Sequence, residues 1–250
     1  MANSKCYVSF KNKMSHFDAD LEYIDIIYNE ILSTPLPNGA SELFTGASNP
    51  KYEILSQYKV VYQNQLLVIR HLKATLYTAY IKDLYEEFTI YLRNMLKEIY
   101  NNVKVTPERL TGEHKIHMTS VEILKHATQG DLTDVVIDQI FQSLENERST
   151  ISLIEKFHNK IGIEPDNDLI NKAIYYLEIR HKLVHTDGLA DNDFISTHPD
   201  LIYTPSGRIS LNYTTIKNAK TAVTQLVKDM DTKIMQNDLV FPNSSPSPHP

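Results

Sequence analysis

The sequence predicts an all-α protein, a helical bundle with loop insertions and one small hairpin. Three observations carry that reading. Apolar residues recur at three- and four-residue steps through most of the chain, the spacing that lines one face of an α-helix. Only 7 of the 250 residues are glycine, too few for the turns of a β-sandwich or barrel. The one stretch with hairpin character is short: IYTPSGRISL, within residues 201–211, folding about Pro205, Ser206 and Gly207. With 42% hydrophobic residues the chain can fill one good core, and no repeat or interdomain linker divides it. Residues 1–238 read as a single domain, and residues 239–250, rich in Pro and Ser, as a disordered tail.

The first helix is expected over residues 17–33, with Leu21, Ile24, Ile27, Tyr28 and Ile31 facing inward. Residues 35–50 are turn-rich and read as a connecting loop. From 52 to 100 the pattern is helical, with room for a break near 62–65. Ala74, Tyr77, Ile81, Leu84, Phe88, Leu92, Met95 and Ile99 form one stripe; Leu72, Leu76, Ala79 and Ile90 form a second ridge on the far side. A helix apolar on two sides belongs at the centre of a bundle. Asp83 and Glu86 interrupt the second ridge, where a carboxylate must either reach water or meet a cation.

After Tyr100 a polar stretch reads as a loop with a short helix. Helices then follow over 119–128, over 131–145 with Asp131 as cap and Val135, Val136, Ile140 and Phe141 inward, and over 149–160, closed by Gly162. The next helix, 166–187, starts at Pro165 and the run Asp166, Asn167, Asp168. Its apolar face is Ile170, Ala173, Ile174, Leu177 and Val184, and Gly188 can end it in a left-handed conformation. Residues 189–211 are otherwise irregular. A final helix, 214–236, carries Ile216, Ala219, Ala222, Val223, Leu226, Val227 and Met230.

The chemistry concentrates at the end of the 166–187 helix, in EIRHKLVHTDG, where Arg180, His181 and His185 fall within six residues. At about 100° per residue, His181 lies in the middle of the apolar face and Arg180 and His185 on opposite margins, about 140° apart. For the margins to act together, either the helix end bends or a second copy brings its own pair alongside.

These residues resemble the signature of the HEPN superfamily, small helical proteins many of which are RNases of toxin–antitoxin and antiphage systems. The signature is an Arg, a polar residue, three to five further residues and a His; here it reads Arg180, His181, three residues, His185. Val184 before the histidine and Thr186, Asp187 and Gly188 after it are similar to the RiboL-PSP and MAE-like branch. So is the Glu-x-Phe spacing of Glu86 and Phe88 upstream. The resemblance spans roughly residues 60–235, and its specific part is the short motif.

It implies a HEPN-like bundle acting as a metal-independent endoribonuclease, with Arg180 as phosphate clamp, His185 as acid/base, His181 as an orienting polar group and Glu86 as a supporting residue, Arg180 being partnered by Glu86 or Asp83. It further implies RNA as substrate, a homodimer with a composite active site, and an antitoxin or defence-system partner. Lys172 and Lys182 form an RNA-binding patch with Arg180 or are solvated surface charges. An alternative within the same fold is a non-catalytic RNA- or nucleotide-binding module. A purely structural reading has His181 in the core, Arg180 paired with Glu86, and His185 as a cation at the helix C-terminus.

Net charge is −6 and the pI near 5.9, which is not the broadly basic signature of a nucleic-acid binder, although one cleft can grip a few phosphates on an acidic protein. A single cysteine, Cys6, excludes an internal disulfide; Cys6, near an N-terminus read as loose, is a poor candidate nucleophile. With no apolar leader and no run of about 18 apolar residues, a soluble cytoplasmic protein without membrane contact is expected. No cofactor is expected. His181 and His185 have the i, i+4 spacing of zinc ligands, but Lys182 stands where a metalloprotease motif needs glutamate. His114 and His117 lack a third ligand, so no metal is expected at either pair.

Overall fold

The computed structural model describes residues 3–33, 51, 62–101, 106–112, 116–146, 149–164 and 166–241. The chain runs α1 (Lys5–His16), α2 (Asp18–Ser33), α3 (Tyr62–Asn101), α4 (Pro107–Thr111), α5 (Ser120–Gln129), α6 (Leu132–Glu145), α7 (Thr150–Ile161), α8 (Asn167–His185) and α9 (Asn192–Thr197). A two-stranded antiparallel hairpin, β1 (Ile202–Tyr203) and β2 (Ile209–Ser210), precedes α10 (Tyr213–Gln236). No described helix is long and apolar enough to cross a membrane.

The axis of the bundle is α3, 40 residues long, or about 60 Å at the α-helical rise. Helices α1, α2, α6, α7, α8 and α10 all pack on it, and α8 and α10 pack on each other. The expected stripe is buried from Tyr77 through Ile81, Leu84, Phe88, Leu92 and Met95 to Ile99, with Ala74 outside it. The second ridge is corrected. Leu72 and Ala79 are exposed and Leu76 and Ile90 half-buried, while Tyr80, Tyr91 and Leu96 supply the burial that widens the apolar face. The helix is central because it buries one broad face, and its N-terminal half keeps an exposed side. The seven apolar positions expected to face inward on the last helix are all buried on α10.

Local sequence sets the helix ends. Thr119 and Glu122 form a reciprocal capping box on α5, and Asp166 accepts the N–H groups of Asp168 and Leu169 at the start of α8. Asp131 sits at the cap position of α6, but its carboxylate lies against His126 Nδ1 (3.0 Å) and takes no cap N–H. Gly162 closes α7 in the left-handed region. Helix α8 stops at His185, two residues short of the expected end. Asp187 (φ 52°) and Gly188 (φ 76°) are both left-handed, and the Gly188 N–H donates to the Lys182 carbonyl.

Three further corrections concern segments expected to be irregular. The N-terminus forms α1, capped by Ser4, whose N–H and hydroxyl both donate to the buried Asp231 carboxylate on α10. Cys6 is therefore buried on an ordered helix, and burial, with Glu98 adding to it, pushes its thiol far up, away from reactivity. Between Leu189 and the hairpin, α9 forms, capped by Asp191. Leu239 and Val240 are buried in the core, so the domain runs past residue 238. Pro165, residues 35–50, His114 and the tail from 242 lie outside the described residues.

His158 on α7 is buried beside Phe157 and near Lys233 and Asp229 of α10. Burial, with the charge of Lys233 acting the same way, pulls it down from 6.5 to about 4. The unfolded chain thus binds a proton that the folded chain refuses. The contribution is full above pH 6.5 and is lost as pH falls through about 4, a difference of order 3 kcal/mol. In urea titrations at neutral and mildly acidic pH, His158→Phe is expected to flatten this acid limb; an unchanged limb would remove His158 as its origin.

Candidate functional site

The C-terminal turns of α8 emerge from the bundle into a cleft of about 410 Å³. Arg180, His181, Lys182 and His185 line one wall with Glu178. Tyr85 of α3, Glu145 at the end of α6, Ser149, Thr150 and Leu153 at the start of α7, and Phe194 of α9 complete the lining. Five elements therefore converge on the motif.

Periodicity misplaces His181 for a specific reason. The face carrying Ile170, Ala173, Ile174 and Leu177 is buried as expected, but one turn on, where His181 should continue it, the neighbouring helices no longer cover α8. His181 is exposed, Val184 is 42% exposed, and burial passes to Ile179 on the opposite side of the helix. The His181 and His185 rings lie against each other, centroids 4.5 Å apart and planes at 45°. Partial desolvation at the cleft wall, then the nearby His185, Lys182 and Arg180, pull His181 below its ordinary pKa, with Glu178 opposing.

Arg180 is half-buried, its guanidinium 4.7 Å over the Tyr85 ring. This corrects the expected Arg180–Glu86 pair: Glu86 is exposed, does not line the cleft, and shares no ion pair with Arg180. Among the described residues no carboxylate pairs with Arg180 at all. Neither a helix bend nor a second copy is needed to bring Arg180 and His185 to one cleft, because long side chains reach it from both margins of the exposed helix end.

The two lysines separate. Lys182 is ion-paired with Asp191 and stands 5.4 Å over Phe194, which holds α9 against α8 and takes up the lysine charge. The same contact, with the Phe194 N–H, keeps the Asp191 carboxyl below its usual range. Lys172 is exposed near the start of α8 and lies outside the cleft. The expected patch of Lys172, Arg180 and Lys182 thus reduces to Arg180, the one of these three cations that lines the cleft without a carboxylate partner among the described residues.

Sequence reasoning missed the residues that frame the site. His198, buried behind α9, has Nε2 2.9 Å from the Tyr175 carbonyl and 3.7 Å from Glu178, and stacks on Phe194 at 3.9 Å. Arg208 from the hairpin clamps Asp187, just past His185, through its carboxylate and carbonyl. The signal for α9 was present as Asp191 ahead of Phe194, a cap followed by an apolar residue. Among the described residues no group of three or more His, Cys, Asp or Glu is placed to hold a metal ion. Comparison of the chain with protein-family models, with curated proteins and with solved structures gives no match.

Proposed function

We propose that the chain is a metal-independent endoribonuclease of the HEPN kind, cleaving RNA by attack of the 2′-hydroxyl to leave 2′,3′-cyclic phosphate and 5′-hydroxyl ends. The observation that carries this reading is the convergence of Arg180, His181 and His185 on one open cleft, with an arginine that no described carboxylate neutralises. RNA supplies its own nucleophile beside the phosphorus, so the protein need only move protons and stabilise charge. An imidazole exchanges protons near neutrality, which suits His185 as acid/base. Arg180 contacts the phosphate and stabilises the charge that grows in the transition state. The motif resemblance adds a toxin–antitoxin or antiphage setting and a homodimer that joins two clefts; the single cysteine adds a cytoplasmic location.

A second reading is a non-catalytic module for RNA or a nucleotide; Glu145 and Glu178 at the cleft and the net charge of −6 oppose a long polyanion and favour its nucleotide form. One experiment separates the two. Purified protein is incubated with total RNA in EDTA beside His185→Ala, and fragment ends are identified. Cleavage that persists in EDTA, leaves cyclic-phosphate ends and vanishes in the variant supports the RNase. No cleavage by the wild type moves the function to binding, and cleavage that EDTA stops overturns the metal-free mechanism.

A further inference from the structure

We propose that His181 is a second catalytic residue of this cleft: it takes the 2′-hydroxyl proton as general base while His185 protonates the leaving 5′ oxygen, so that a single chain carries the complete acid–base pair. The inference rests on the endoribonuclease reading and divides the labour within it.

Its basis is placement. An orienting or structural His181 belongs packed against the bundle; here the ring is exposed and lies in contact with His185 one turn along the helix. Both line the cleft beside Arg180. In-line displacement at phosphorus sets the entering and leaving oxygens on opposite sides of the atom. Two imidazoles whose centroids are 4.5 Å apart can meet one apical oxygen each. Arg180 is then left to the non-bridging oxygens.

The charges around the pair assign the roles. Glu178, Arg180 and Lys182 face it from α8, Tyr85 from α3 and Glu145 from α6. A second proton on the pair would set like charges in contact, which disfavours the doubly protonated pair. Partial desolvation at the cleft wall, then the neighbouring His185, Lys182 and Arg180, draw His181 toward its neutral form, the form a general base needs. In the step, the 2′ oxygen forms its bond to phosphorus as its proton passes to His181. The bond from phosphorus to the 5′ oxygen breaks as that oxygen takes the proton of His185. Solvent exchange then resets the pair, and no other reactant is required.

The roles separate with a sulfur leaving group, which departs without protonation. Wild type, His181→Ala and His185→Ala are assayed on an RNA oligonucleotide carrying a mapped cleavage site, with either oxygen or sulfur at the bridging 5′ position. With oxygen, both variants are expected to lose about 10²–10⁴-fold in rate. With sulfur, His185→Ala should recover to near the wild-type rate and His181→Ala should not. Recovery of His181→Ala instead, or its cleaving the oxygen substrate normally, overturns the assignment while leaving the RNase reading in place. Failure of the wild type to cleave any RNA overturns the reading itself. Both rings are exposed, so thermal melting of the variants is expected to match the wild type.

Discussion

Replacing Arg180 with alanine is expected to lower single-turnover RNA cleavage by about 10²–10³-fold, the scale of removing one charge-stabilising donor from a transition state. The size follows from how the guanidinium is held. It lies over the Tyr85 ring, and among the described residues it has no carboxylate partner, so its charge and its fork of N–H donors remain available to an incoming phosphate. Had it paired with Glu86, the anion would first have had to displace a carboxylate. Arg180→Lys keeps the charge and gives up both the fork and the stacking on Tyr85, so its rate is expected between wild type and alanine. If the clamp acts on charge that appears only in the transition state, kcat and kcat/KM fall together; a rise in KM alone would make Arg180 a binding residue of the ground state. Cleavage by Arg180→Ala at the wild-type rate would remove the arginine from the mechanism.

The helical architecture was legible in the chain because burial follows periodicity wherever a helix has neighbours along its whole length. On α10 every apolar position read as inward is inward, and on α8 the reading holds from Ile170 to Leu177. It fails at His181, because periodicity fixes an angle about the axis and says nothing of where the packing helices stop. It fails at α1 for a different reason. Cys6, Tyr7, Phe10 and Met14 are inward at helical spacing, but lysines dilute the pattern, and the anchor that orders the helix, Ser4 on Asp231, joins residues 227 apart. The partners of the two site cations follow the same logic. Lys182 meets Asp191 only because the chain reverses after His185, and Arg180 meets Tyr85 only because α3 crosses beneath α8. The motif was readable; the surroundings that decide what each member does were contacts between distant segments.

The spacing of Glu86 and Phe88 supplies the second large effect, since the structure separates two residues that the sequence presents as a pair. Phe88 is 0% exposed, on the face of the helix against which six others pack. Removing its ring deletes buried apolar contacts and leaves a space that surrounding helices, held from several sides, can only partly close. Phe88→Ala is therefore expected to cost about 3–5 kcal/mol of unfolding free energy in urea titration, with activity per folded molecule retained. Glu86 is exposed and takes part in no ion pair with Arg180, so Glu86→Ala should change stability by no more than about 0.5 kcal/mol and leave RNA cleavage unchanged. The contrast tests the placement of both residues at once: a large loss of cleavage on removing Glu86, without loss of stability, would mean that the carboxylate reaches the cleft after all and that the active arrangement of Arg180 differs from its stacking on Tyr85.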